Sequence, residues 1–205
     1  TSFAAVRLDD ALGPYPYVGE DMLLGCPQEE GESADAGGPS GTFFVALYSG
    51  LNNDFPFQFV STNYWNGNED GSGTLGMELK SLTLDIGSVD SPRELKEFKA
   101  ESFLVYVDSS GQFDIELGPF VISANANPLS NNSVVVESVD LSASIINDDF
   151  ICGSGPGVYS MGGLEVQLQT GTPAFVAIRI DDPLGQYPTP GEDLVLDCPE
   201  PGEEE

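Results

Sequence analysis

An all-β, antiparallel fold is what this sequence predicts, and three observations predict it. Short stretches rich in Val, Ile, Leu, Phe and Thr recur along the chain, among them GTFFVALYSG at 41–50 and FLVYV at 103–107. Clusters of Gly, Pro, Asn and Asp separate them at short intervals, as turns between strands require. A single stretch carries a helix-start signature. Together these predict an antiparallel β-sandwich, Ig-like or jelly-roll-like, with one short helix.

Taken in order, Thr1 to Asp9 reads as a strand and ALGPYPYVGED as a Gly/Pro-rich linker that neither helix nor central strand tolerates. Asp21 to Cys26 is a short strand, followed by an acidic loop, QEEGESADAGGPSG. The continuous apolar run in GTFFVALYSG predicts a buried strand, and Phe55 to Ser61 another. From Thr74 to Ile86 apolar residues alternate, but the phase slips at Lys80-Ser81, so a bulge or a sharp bend is expected there to keep both halves facing the core. Ser91-Pro92-Arg93-Glu94 has the residues of a capping box and predicts a helix from Pro92 to Ala100. Phe103–Val107 and Phe113–Leu117 flank DSSG and read as a hairpin. Phe120–Ser123, Ser133–Val136, Val139–Ile146, Leu164–Gln169 and Phe175–Asp181 supply further strands, with CGSGPGVYSMGG as a glycine-rich loop.

The chain also carries one stretch twice. Phe3 to Pro27, FAAVRLDDALGPYPYVGEDMLLGCP, aligns without a gap with Phe175 to Pro199, FVAIRIDDPLGQYPTPGEDLVLDCP, at an offset of 172; 15 of the 25 positions are identical. Self-similarity at a fixed period marks a repeat architecture. The expected organisation is therefore a window of a tandem array. Residues 1–10 are the last strand of a preceding repeat, 11–20 a linker, 21–182 the β-sandwich domain, and 183–205 the linker and first strand of the next. The alternative is a separate subunit whose similar ends dock on neighbouring subunits.

Composition narrows the function. Thirty-four acidic against 6 basic residues give a formal net charge of −28, which repels nucleic acid and attracts cations. No run of about 18 apolar residues predicts membrane insertion. The absence of histidine removes Ser-His-Asp and Cys-His machinery and His-based zinc sites; no enzyme activity is expected. Cys26 and Cys198 are the same position in successive copies, so each period holds two cysteines. That count predicts one disulfide per repeat in an oxidising compartment, between Cys152 and either Cys26 or Cys198.

Two places suit Ca²⁺. Asn66, Asn68, Asp70 and Ser72 lie at the alternate spacing of an EF-hand-like loop, although the closing acid, Glu78, comes one residue late. Both copies of the linker are flanked by acidic pairs: Asp9, Asp10, Glu20 and Asp21 in the first, Asp181, Asp182, Glu192 and Asp193 in the second. A hard cation would neutralise such carboxylates and stiffen a domain junction. Tyr64 and Trp65 offer a platform on which surface glycans would stack. The expectation is an extracellular or cell-surface structural module of a filament, stalk or adhesin, partnered by adjacent copies of itself and rigidified by Ca²⁺. Fibre formation by terminal strand donation and a carbohydrate-binding module are the alternatives.

Overall fold

The computed structural model describes residues 38–50, 52–95, 101–161, 164–168 and 175–191, all within one compact unit spanning 36–205. Twelve strands run antiparallel: β1 (Gly41–Leu47), β2 (Phe57–Gly67), β3 (Gly73–Leu84), β4 (Pro92–Leu95), β5 (Glu101–Val107), β6 (Gln112–Leu117), β7 (Phe120–Ile122), β8 (Val134–Asn147), β9 (Phe150–Ser154), β10 (Gly157–Met161), β11 (Leu164–Leu168) and β12 (Phe175–Arg179). A 3₁₀ turn at Ala124–Ala126 is the one helical element among the described residues.

The strands share one hydrogen-bonded network. Long β8 carries β6 and β7 along one edge and β10 and β9 along the other. From β9 the pairing continues through β12, β1 and β2 to β3, whose other partners are β5 and β4. The ends of the path β6-β8-β9-β12-β1-β2-β3-β5 are consecutive in sequence, joined by a turn in which Gly111 N–H donates to Asp108 O at 3.0 Å. That turn brings the two ends of the sheet together, so the sheet curls around an apolar interior. Alternate residues of every strand on this path enter one core, including Phe43 and Val45 from β1, Leu75 from β3 and Leu141 from β8. Fully burying each such side chain contributes about 1.5–3 kcal/mol.

β1 is buried on both faces, which accounts for its unbroken apolar run. Phe43, Val45 and Leu47 face the interior, whereas Phe44 and Ala46 join a second core with Val60, Leu82, Cys152 and Val176.

Several local expectations give way to tertiary contacts. Pro92–Leu95 is strand β4 and not the start of a helix: Arg93 has φ of 50°, which a right-handed helix cannot use, and Glu94 N–H donates to Thr83 Oγ1 at 3.0 Å. Residues 96–100 of the expected helix lie outside the described residues. The expected hairpin at 103–117 has its turn but lacks its ladder, because β5 pairs with β3 and β6 with β8. No bulge interrupts the β2–β3 ladder at Lys80-Ser81. The phase slip is instead a change of face, since Leu75 and Met77 enter the first core and Leu82 the second. The glycine-rich stretch from Cys152 is also paired: its described part completes β9 and forms β10, both on β8. Glycine permits that approach, for a Cβ on Gly155 would stand 2.0 Å from Asp140 O.

Tyr48, the residue after β1, has its hydroxyl buried and without a protein hydrogen-bond partner. Burial pushes its phenol from 10.0 up to about 12. A folded-state value raised above the unfolded one gives stability that is fully present below pH 10 and is lost as pH rises toward 12. Tyr48→Phe removes the unsatisfied hydroxyl and is expected to gain about 1 kcal/mol at neutral pH. Urea unfolding as a function of pH checks this: the variant should lose less stability than the parent across that alkaline window.

Candidate functional site

The most densely bonded polar region surrounds the end of β12 and the strap that follows it. Arg179 closes β12 beside the entry to β1. Its Nε donates to Asp149 Oδ1 at 2.5 Å, and its terminal nitrogens donate to the backbone oxygens of Ser40, Asp148 and Gly38. The guanidinium lies 5.1 Å from the centre of the Phe43 ring. One side chain thus ties β12 to the start of β1 and to the β8–β9 turn.

Beyond Arg179 the chain stays on the domain. Ile180 N–H donates to Thr42 O at 2.9 Å. Asp182 builds a turn by accepting from Leu184 N–H at 2.8 Å, with Gly185 N–H donating to its carbonyl at 3.1 Å. The Tyr187 ring then stacks on Phe44, centroids 5.8 Å apart, and its hydroxyl donates to Pro183 O. Burial and the nearby Asp182 carboxylate raise the Tyr187 phenol, with Arg93 opposing them. Arg93 fastens the strap by donating to Tyr187 O at 2.8 Å and Pro188 O at 3.1 Å, anchored itself by Nε to Val89 O. The expected linker is therefore docked over its described part, 183–191. Local sequence signals do not mark Arg179, Arg93 and Tyr187 as site residues. The signal that would have found two of them is the repeat, because Arg7 and Tyr15 are identical to Arg179 and Tyr187.

The proposed cation loop is a self-satisfied turn between β2 and β3. Asp70 Oδ1 accepts from both the amide and the hydroxyl of Ser72, and Asn68 Nδ2 donates to Ser72 Oγ at 3.0 Å. The Ser72 hydroxyl, then its amide, hold the Asp70 carboxyl below its ordinary value. The same Asp-x-Ser arrangement recurs at Asp108 and Ser110 and lowers Asp108 likewise, chiefly through the Ser110 hydroxyl. Glu78 is not brought to this loop. It lies within β3, opposite Thr62 and Ser102, and five residues of strand beyond Gly73 separate the two by roughly 16 Å. Asn66 sits in the last pairs of β2, opposite Thr74.

Asp181 and Asp182 are exposed on the strap. Asp9, Asp10, Glu20, Asp21, Glu192 and Asp193 lie outside the described residues, as do Cys26 and Cys198. Cys152 is fully buried in the second core. Among the described residues no group of three or more His, Cys, Asp or Glu is placed to hold a metal ion.

Tyr64 and Trp65 do not form one platform. Neighbours in a strand point to opposite faces: Tyr64 is exposed, whereas Trp65 packs against the first core. On the outer surface Tyr64 lines up across Gly76 with exposed Leu104 of β5, while exposed Tyr106 stands opposite Thr74. Among the described residues no helix is long and apolar enough to cross a membrane. No protein family, curated protein or solved structure matches the chain.

Proposed function

We propose that the chain is an extracellular structural repeat, an acidic β-sandwich-type module strung into a filament, stalk or adhesin. Its work is mechanical reach and attachment, without chemical turnover. The observation that carries this reading is the stretch repeated at an offset of 172, since a filament needs each module to join its neighbour in the same way. The position of β12 favours tandem modules over strand donation between separate chains, because β12 already pairs with β1 and β9 of its own domain. The inward turn of Trp65 weighs against the carbohydrate-binding alternative.

Ca²⁺ at the acidic junctions and one disulfide per repeat, from Cys152 to Cys26 or Cys198, belong to the same proposal. Thermal unfolding with and without Ca²⁺ at fixed ionic strength tests the ion. Binding to the folded state at 100 times the dissociation constant adds about 2.7 kcal/mol, which for a domain of this size raises Tm by roughly 5–10 °C. A rise no larger than Mg²⁺ gives would remove Ca²⁺ and leave the acids as general surface charge. Non-reducing peptide mapping identifies the partner of Cys152; a free Cys152 thiol would remove the disulfide.

A further inference from the structure

Within the described residues 175–191, seven of the ten positions that the two copies share are ones by which the second copy holds its domain. Phe175 and Ala177 enter the first core from β12, Arg179 binds Asp149 and the backbone oxygens around it, Asp182 and Gly185 make the turn, and Tyr187 and Pro188 meet Phe44 and Arg93. Each has an identical counterpart: Phe3, Ala5, Arg7, Asp10, Gly13, Tyr15 and Pro16. The changed positions are mostly permissive. Half-buried Ile178 and Ile180 become Val6 and Leu8, and exposed Gln186 becomes Pro14. Val176, fully buried and replaced by Ala4, buried Pro190, replaced by Val18, and half-buried Thr189, replaced by the larger Tyr17, are the differences that carry a cost.

We propose that Phe3–Gly19 is the closing strand and strap of another copy of this domain. It would sit between that copy's equivalents of β1 and β9, with Arg7 in the role of Arg179 and Tyr15 in that of Tyr187. The segment lies outside the described residues, and the proposal rests on the tandem reading above. The partner it fits is the preceding repeat of the same polypeptide, since a separate chain of this sequence already fills its own slot with β12. Each junction then begins after Gly19 or Gly191, later than the Pro/Gly-rich composition suggests. The strap becomes part of the preceding module, leaving a shorter connection between modules.

A transplant within the 205-residue chain tests this. Residues 175–191 receive the sequence of 3–19 through Val176→Ala, Ile178→Val, Ile180→Leu, Pro183→Ala, Gln186→Pro, Thr189→Tyr and Pro190→Val. The transplant is expected to keep one cooperative thermal transition within roughly 10 °C of the parent. Arg179→Ala introduced into it should lower Tm by as much as in the parent. A second transplant that retains Val176 separates a core cavity from a misfit strap. Loss of cooperative unfolding in both backgrounds, or disappearance of the Arg179→Ala effect in them, overturns the proposal and leaves the tandem reading standing. Reducing, denaturing electrophoresis of the native material tests that reading by itself. A chain far above 21.7 kDa supports it, and a band near that mass removes it together with the stated partner.

Discussion

Arg179→Ala is expected to lower Tm by roughly 6–12 °C, the equivalent of about 3 kcal/mol in a domain of this size. The ion pair with Asp149 supplies the smaller part. Asp149 has 71% of its side chain exposed, and such pairs are worth about 0–1 kcal/mol. The backbone oxygens of Ser40 and Asp148, each accepting from the guanidinium, supply more, since hydrogen bonds to a charged group contribute about 1.5–3 kcal/mol apiece. The Phe43 ring adds a cation–π contact at 5.1 Å. An ordering follows that chemical denaturation can check. Asp149→Ala should cost less than about 1 kcal/mol, Arg179→Lys an intermediate amount because an ammonium cannot reproduce the planar fork, and Arg179→Ala the most. If Asp149→Ala matched Arg179→Ala, the ion pair would be the dominant contact and the role given to the backbone oxygens would be wrong.

The same residue marks how far the sequence can be read. The β class was legible because strand burial writes itself locally: the run in β1 and the alternation in β6 survive in the burial of Phe43–Leu47 and of Phe113, Ile115 and Leu117. The repeat was legible because it is a comparison of the chain with itself. Arg93 was not, since its partners Tyr187 and Pro188 are 94 and 95 residues away, and the local capping box pointed to a helix instead. The ladder partners of β5 and β6 were hidden for a related reason. A tight turn looks the same in sequence whether its two strands pair with each other or close a curled sheet. The cation loop shows the limit of spacing. Alternate oxygen ligands around an ion and an Asp side chain closing a turn on a following Ser draw on the same residues, so spacing alone does not tell the two arrangements apart.

Trp65→Ala is expected to cost about 3 kcal/mol and again roughly 6–12 °C in Tm. The indole packs against the first core among three glycines that leave it room. A Cβ on Gly38 would meet its Cδ1 at 2.1 Å, one on Gly67 its Nε1 at 2.5 Å, and one on Gly73 its Cη2 at 2.7 Å. Ser40 Oγ accepts the Trp65 backbone N–H at 2.9 Å, tying the end of β2 to the segment that enters β1. Removing the indole empties a space walled partly by backbone, which cannot collapse as readily as side chains do, so the cost sits within the range for large-to-small core changes. Tyr64→Ala provides the contrast, with Tyr64 59% exposed and an expected effect within about 0.5 kcal/mol. The two variants, melted side by side and assayed against glycans, decide whether this corner is core or platform. A folded Trp65→Ala protein with unchanged Tm and lost glycan binding would put the indole outside the core and restore the sugar-binding reading. A large loss of stability for Trp65 with near neutrality for Tyr64 assigns the indole to holding the β2–β3 end of the domain against the entry of β1, a structural role and not a binding one.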